Sequence, residues 1–291
     1  FIIAMVISFN GYLWGMGLDL PMAGAVILTL FLTATFITDG FLKENASKKM
    51  LKGMFDQYVP PAHIDKMMAD PNAYSFAGES KELTVLFSDI RSFTNISETL
   101  TAQELKHMLN SYFTPITKEI FDRNGTIDKY VGDMVMAFWG APVDDPDHRK
   151  NAVLAALNMQ RITEELKREF KKEGLPEVNI GVGVNTGLMN VGDMGSSYRR
   201  SYTVLGDAVN LGSRLESITK FYGAKILIGE DTFDHLEGIV CRFTDRIQVK
   251  GKEEAIRVYE PLGLECDISQ NTMNELQRYD EAYTLYLKQD W

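Results

Sequence analysis

The chain has 291 residues and a formal charge of −10, from 30 basic and 40 acidic side chains, with 45% hydrophobic and 24% charged positions. That composition is ordinary for a folded protein and argues against intrinsic disorder, while the acidic balance argues against a general nucleic-acid binder, whose affinity needs a basic surface. Only Cys241 and Cys266 occur, with no C-x-x-C pair and no zinc-like histidine spacing, which argues against a disulfide framework or a structural zinc.

Residues 1–42 contain no lysine or arginine, and apolar runs at 1–14 and 22–38 flank Gly15-Met16-Gly17-Leu18-Asp19-Leu20-Pro21. The second run approaches the length needed to cross a bilayer. The expectation is a transmembrane helical hairpin over 1–42, its first helix cut short. The chain lacks an initiating methionine and a basic n-region, so it reads as a fragment and not as a signal peptide. Lys43, Lys48, Lys49 and Lys52 follow directly, and the positive-inside rule then puts the remainder on the cytoplasmic side of the cell inner membrane, with the lipid bilayer as a partner. A buried soluble hairpin is the competing reading.

Residues 43–79 read as a helical stalk and connector. Leu42, Ala46, Met50, Met54 and Tyr58 recur every fourth position until Pro60-Pro61 stops the run. From Glu82 the pattern turns mixed. It predicts a strand at 82–88, a helix at 101–122 opened by the capping box Thr101-x-x-Glu104, and a hairpin at 126–139 around Gly132-Asp133. A helix at 146–172 ending at Gly174, a β-rich run at 178–192 and a helix at 207–221 follow. The remainder alternates strand 225–228, helix 230–236, strand 239–248 and strand 255–260, and residues 263–291 read as a connector and helix start. Helices on a largely antiparallel sheet imply an α+β domain over 80–262 with a ferredoxin-like β-α-β-β-α-β core.

Asp89 and Asp133 each end a strand-like apolar run. If the strand at 82–88 lies beside the hairpin, both carboxylates emerge at one sheet edge and suit two cations roughly 3.5 to 4 Å apart. Magnesium takes such hard oxygen ligands and completes its shell with substrate phosphates. Ile90 to Thr94, including Phe93 and Thr94, runs from strand into a helix start whose free N–H groups suit phosphate oxygens. Lys129 precedes Asp133 by four residues. Asn210 and Arg214, also four apart, share a helix face and together suit a ribose and a phosphoryl group. Lys250 sits in Val249-Lys250-Gly251-Lys252, suitable for phosphate. Taken singly, each aspartate favours a turn or cap, Asn210 and Arg214 each favour solvated surface, and Lys250 suits a solvated turn equally well. The four histidines show no pairing that suggests catalysis or metal binding.

Together, Phe87-Ser88-Asp89-Ile90-Arg91-Ser92-Phe93-Thr94, Gly125-Thr126-Ile127-Asp128-Lys129-Tyr130-Val131-Gly132-Asp133, Gly181-Val182-Gly183-Val184-Asn185-Thr186-Gly187 and the segment 202–214 resemble the class III nucleotidyl cyclases. The resemblance implies that Asp89, Asp133 and the Ile90 carbonyl hold two Mg²⁺ or Mn²⁺ ions. It also implies that Lys129 and Thr203 read the purine, Asn210 positions the ribose, Arg214 stabilises the transition state and Lys250 binds the terminal phosphates. Adenylyl members carry Lys with Asp or Thr at the purine-reading positions, guanylyl members typically Glu with Cys. The pair Lys129 and Thr203 thus implies an adenylate cyclase acting on ATP, similar to a subgroup of which some members respond to bicarbonate. The family's head-to-tail homodimer implies sites shared between two chains. With the hairpin, this implies a membrane signalling receptor; the alternatives are a guanylate cyclase, a catalytically silent nucleotide-binding membrane receptor, and a diguanylate cyclase, whose Gly-Gly-Asp/Glu-Glu-Phe signature is not found.

Overall fold

A computed structural model describes residues 2–17, 22–55, 78–196, 200–248 and 255–288. The connector prolines Pro60, Pro61 and Pro71, the end of the stalk at Tyr58, and Lys250 lie outside the described residues. The chain divides into two units, residues 1–55 and 56–291.

The first unit is a helical pair, α1 (Ile2–Gly15) and α2 (Met22–Phe55), in contact with each other. α2 runs without interruption through the position where the hairpin was expected to give way to a separate stalk. The expectation of a membrane-spanning hairpin is overturned: among the described residues no helix is long and apolar enough to cross a membrane. With it fall the bilayer as a partner and the inner-membrane location. The physical reason is the polar interruption of α2. In α2 the apolar stretch meets Asp39 directly after Thr33, Thr35 and Thr38, and lysines and glutamate follow.

In the second unit, β1 (Glu79–Ile90) is followed by the short α3 (Phe93–Thr99) and the long α4 (Ala102–Asp122), then the hairpin β2 (Thr126–Val131) and β3 (Met134–Trp139). Next come α5 (His148–Glu173), β4 (Ile180–Gly195), β5 (Arg200–Leu205) and α6 (Asp207–Tyr222). β6 (Ile226–Gly229), α7 (Glu230–Phe233), β7 (Ile239–Gln248), β8 (Ala255–Leu264) and α8 (Gln270–Lys288) complete it. The sheet order is β2-β3-β1-β4-β6-β8-β7, with β5 added to β4. β1-α4-β2-β3-α5-β4 is the expected β-α-β-β-α-β core. β1 pairs antiparallel with both β3 and β4, while β4 and β6 are parallel.

Alternation along β1 divides the core. Leu86 and Ile90 face the layer of α4 and α5, packing among Met108, Tyr112, Ile116 and Met159. Val85 and Phe87 face the opposite side with Met136, Phe138 and Val209. Burying each of these large side chains contributes about 1.5 to 3 kcal/mol. The Thr101 capping box forms as expected, with the Glu104 N–H donating to Thr101 Oγ1 at 3.3 Å and the Thr101 N–H donating to Glu104 Oε2 at 2.9 Å. His148 is structural: it is buried, its Nδ1 lies 2.7 Å from Thr84 Oγ1, and burial lowers its pKa.

α6 lies unusually close to the sheet because two glycines allow it. A Cβ on Gly183 would fall 2.2 Å from the Glu216 nitrogen and 2.4 Å from the Gly212 oxygen, and one on Gly212 would fall 2.8 Å from Val85 Cγ1. Residues 263–291 are more than a connector with a helix start. β8 continues to Leu264, and α8 is 19 residues long, with Tyr283 packed on Phe243 of β7 at 4.6 Å between ring centroids.

Candidate active site

The β1–β3 register pairs Ser88 with Val135, which brings the end of β1 beside the tip of the β2–β3 hairpin. Gly132 turns that tip at φ 65°, in the left-handed region open to glycine. Asp133 then reaches back, and the Ile90 N–H donates to its Oδ2 at 3.0 Å. The Asp89 and Asp133 carboxylates are near enough for each to act on the other's charge. Burial, the Asp133 carboxylate and the charge of Glu216 push the Asp89 pKa from 3.8 up to about 7, against the lowering effect of the Ile90 N–H. This pair of half-buried carboxylates is short of positive charge, and its donors are all hard oxygens, so it fits divalent cations of the magnesium type.

Two neighbours of this pair were missed from sequence. Glu216 lies over the sheet because Gly181 leaves room: a Cβ there would meet Thr219 Oγ1 at 2.6 Å, Glu216 Oε1 at 2.7 Å and Arg91 Cζ at 3.1 Å. Burial raises the Glu216 pKa, Arg91 opposes that rise, and Asp133 adds to it. Arg91 is anchored by donating to Thr219 Oγ1 at 2.7 Å and to the Ala224 carbonyl at 3.1 Å. Arg91 stands in the run Asp89-Ile90-Arg91, but nothing local in the sequence ties it to α6.

A second cluster joins β2 to β5. Lys129 Nζ lies 3.5 Å from Thr203 Oγ1, so the two expected purine readers meet. Between them sits Asp128, also missed from sequence and only 1% exposed. Thr203 donates to Asp128 Oδ2 at 2.5 Å, the Val204 N–H approaches the same oxygen at 3.4 Å, and Lys129 forms an ion pair with Asp128 Oδ1 at 3.0 Å. A register shift between Ile127 and Lys129 makes this geometry, because a bulge re-aims consecutive side chains that strict alternation would send to opposite faces.

Asn210 and Arg214 are both exposed on α6, one turn apart. Phe93 opens α3 and packs partly against the core, and Thr94 beside it is exposed. Lys250 lies outside the described residues.

Comparison with known proteins identifies the family of this domain. Residues 76–260 match the family described as the adenylate and guanylate cyclase catalytic domain. An adenylate cyclase of Anabaena cylindrica is 36% identical over 226 residues, 74% of this chain and 44% of its own length. Adenylate cyclase 1 of Rhizobium meliloti is 34% identical over 211 residues, 72% of this chain and 32% of its own length. The chain therefore spans less than half the length of these curated relatives. The crystal structure of the adenylyl cyclase CyaB from P. aeruginosa superposes with a TM-score of 0.60 at 36% identity, covering 66% of this chain and 99% of that one. The crystal structure of the guanylyl cyclase Cya2 gives a TM-score of 0.59 at 32% identity, covering 64% of this chain and 94% of that one. The chain belongs to the adenylate and guanylate cyclase catalytic-domain family.

Proposed function

We propose that the chain is an adenylate cyclase that converts ATP to 3′,5′-cyclic AMP and pyrophosphate at sites shared between two copies of its catalytic domain, residues 80–262. The carrying observation is the Asp89–Asp133 pair, two electrostatically interacting carboxylates at one sheet edge, with the Ile90 N–H on Asp133, within a domain of the cyclase family. The pair and the Ile90 carbonyl would hold two Mg²⁺ or Mn²⁺ ions, which supply acidity to the ribose 3′ hydroxyl and charge neutralisation at the α-phosphorus.

The chain's own residues do the positioning. Lys129 and Thr203 meet the adenine edge, as in the Lys/Thr subgroup of adenylyl members. Asn210 orients the ribose. Arg214 neutralises charge on the phosphoryl group in transit, Lys250 takes the terminal phosphates, and the N–H groups of Phe93 and Thr94 receive phosphate oxygens. In a head-to-tail homodimer the aspartates of one protomer face Lys129, Thr203, Asn210, Arg214 and Lys250 of its partner. The 3′ oxygen attacks the α-phosphorus in line, pyrophosphate leaves, and the hydroxyl proton is released.

A guanylate cyclase is the second reading, favoured by the likeness to Cya2. Incubating purified protein with Mn²⁺ and either ATP or GTP, followed by product chromatography, separates the two. Cyclic AMP from ATP at the higher rate is expected. Faster GTP turnover would select the second reading, and no cyclic product from either nucleotide would reject both. Adding bicarbonate to the same assay checks the response known from some members of the subgroup.

A further inference from the structure

We propose that Asp128 sets the nucleotide preference of this site by fixing the proton of the Thr203 hydroxyl and the position of the Lys129 ammonium; the proposal rests on the reading of Lys129 and Thr203 as purine contacts. A threonine hydroxyl alone is indifferent, since it donates or accepts according to its rotation, and it suits an amino or a keto group equally. An ionised carboxylate only accepts. With Asp128 Oδ2 at 2.5 Å, the Thr203 hydrogen is committed inward, and Oγ1 presents only lone pairs to anything that approaches Lys129. The ammonium, held on Asp128 Oδ1 at 3.0 Å, presents only donors.

The result is one acceptor beside one donor. The 6-aminopurine edge matches it, with the exocyclic amine donating to Thr203 and ring nitrogen N1 accepting from Lys129. The 6-oxopurine edge mismatches twice: its carbonyl meets a lone pair and its N1–H meets an ammonium. A site built around committed hydrogen bonds rejects the mismatched partner far more strongly than an apolar pocket does, because its own polar groups are left unpaired. The burial of Asp128 and its place in a bulge hold its carboxylate beside both groups. Asp128 is thus a positioning residue that acts through two others.

The test compares the ATP-to-GTP ratio of kcat/KM in the wild-type chain, Asp128→Asn, Thr203→Val and Thr203→Ser, with thermal melting recorded for each. Asparagine introduces an N–H₂ donor that must oppose either the hydroxyl or the ammonium, so the ratio is expected to fall about tenfold or more. Thr203→Ser keeps the hydroxyl and should retain the ratio, whereas Thr203→Val should lose it. In a Thr203→Val background, Asp128→Asn should have much less further effect on the ratio. An unchanged ratio in Asp128→Asn, whether or not total activity drops, would overturn the proposal and leave Asp128 a structural residue. Should that variant not fold, equal ratios in Thr203→Val and Thr203→Ser would overturn it as well. A wild-type chain that turns over neither nucleotide fails the cyclase reading itself, which is a distinguishable result.

Discussion

The Ile90 N–H donates to Asp133 Oδ2 at 3.0 Å, so the tip of the β2–β3 hairpin is tied to the end of β1 by a bond that needs no cation. Asp133→Asn retains an acceptor for that bond and loses the charge. It is expected to melt close to the wild-type temperature while cyclase activity falls about 10² to 10³-fold, in the range seen when one electrostatic contact to a transition state is removed. Steady-state assays beside melting curves check both halves. Full activity in this variant would remove Asp133 from the site.

Shared sites make a second prediction. Arg214→Ala and Asp133→Ala should each be nearly inactive alone, yet a mixture should regain activity, because a mixed dimer holds one site with both lesions and one with neither. Activity is measured against mixing ratio. A mixture no better than its components would argue for sites built within single chains.

The carboxylate pair makes metal-free stability depend on pH. The Asp89 pKa is raised from 3.8 to about 7, so between those values the folded state holds a proton that the unfolded chain has lost. Unfolding free energy therefore falls as pH rises through that window and levels off above it. Solvent screening of this half-exposed group reduces the effect to about 1 to 2 kcal/mol. Urea midpoints in EDTA from pH 4 to pH 8 should show the decline, Asp89→Asn should flatten it, and Mg²⁺ should restore stability at the upper end.

Gly183→Ala should lower stability by about 2 kcal/mol or more, since its Cβ would meet the backbone of α6 and not a side chain able to move aside. A wild-type melting temperature in this variant would refute the close approach of helix and sheet.

Much of the catalytic unit was legible in the sequence because the signals were local. The apolar run at 82–88, the Thr101-x-x-Glu104 box and the glycine at 174 each specify an element within a few residues, and the proximity of Asp89 and Asp133 follows from strand pairing. β5 was not legible: Arg200-Ser201-Tyr202-Thr203-Val204-Leu205 becomes a strand because β4 extends to Gly195 and offers an edge. Glu216 joins the carboxylates only through glycine-permitted packing, and Asp128 turns inward only through a bulge. Both depend on residues distant in the chain. For residues 1–42 composition misled, because apolar content was read as membrane crossing where the threonines and Asp39 of α2 interrupt the run.

The irregularity between Ile127 and Lys129 has an evolutionary corollary. Ile127 pairs with Ala137 and Lys129 with Met136, so Asp128 is the extra residue of the ribbon, and losing it would leave both flanks opposite their present partners. The ladder and the tip carrying Asp133 would survive such a deletion, while the carboxylate that Lys129 and Thr203 share would vanish. Relatives that use this carboxylate should therefore keep the extra residue.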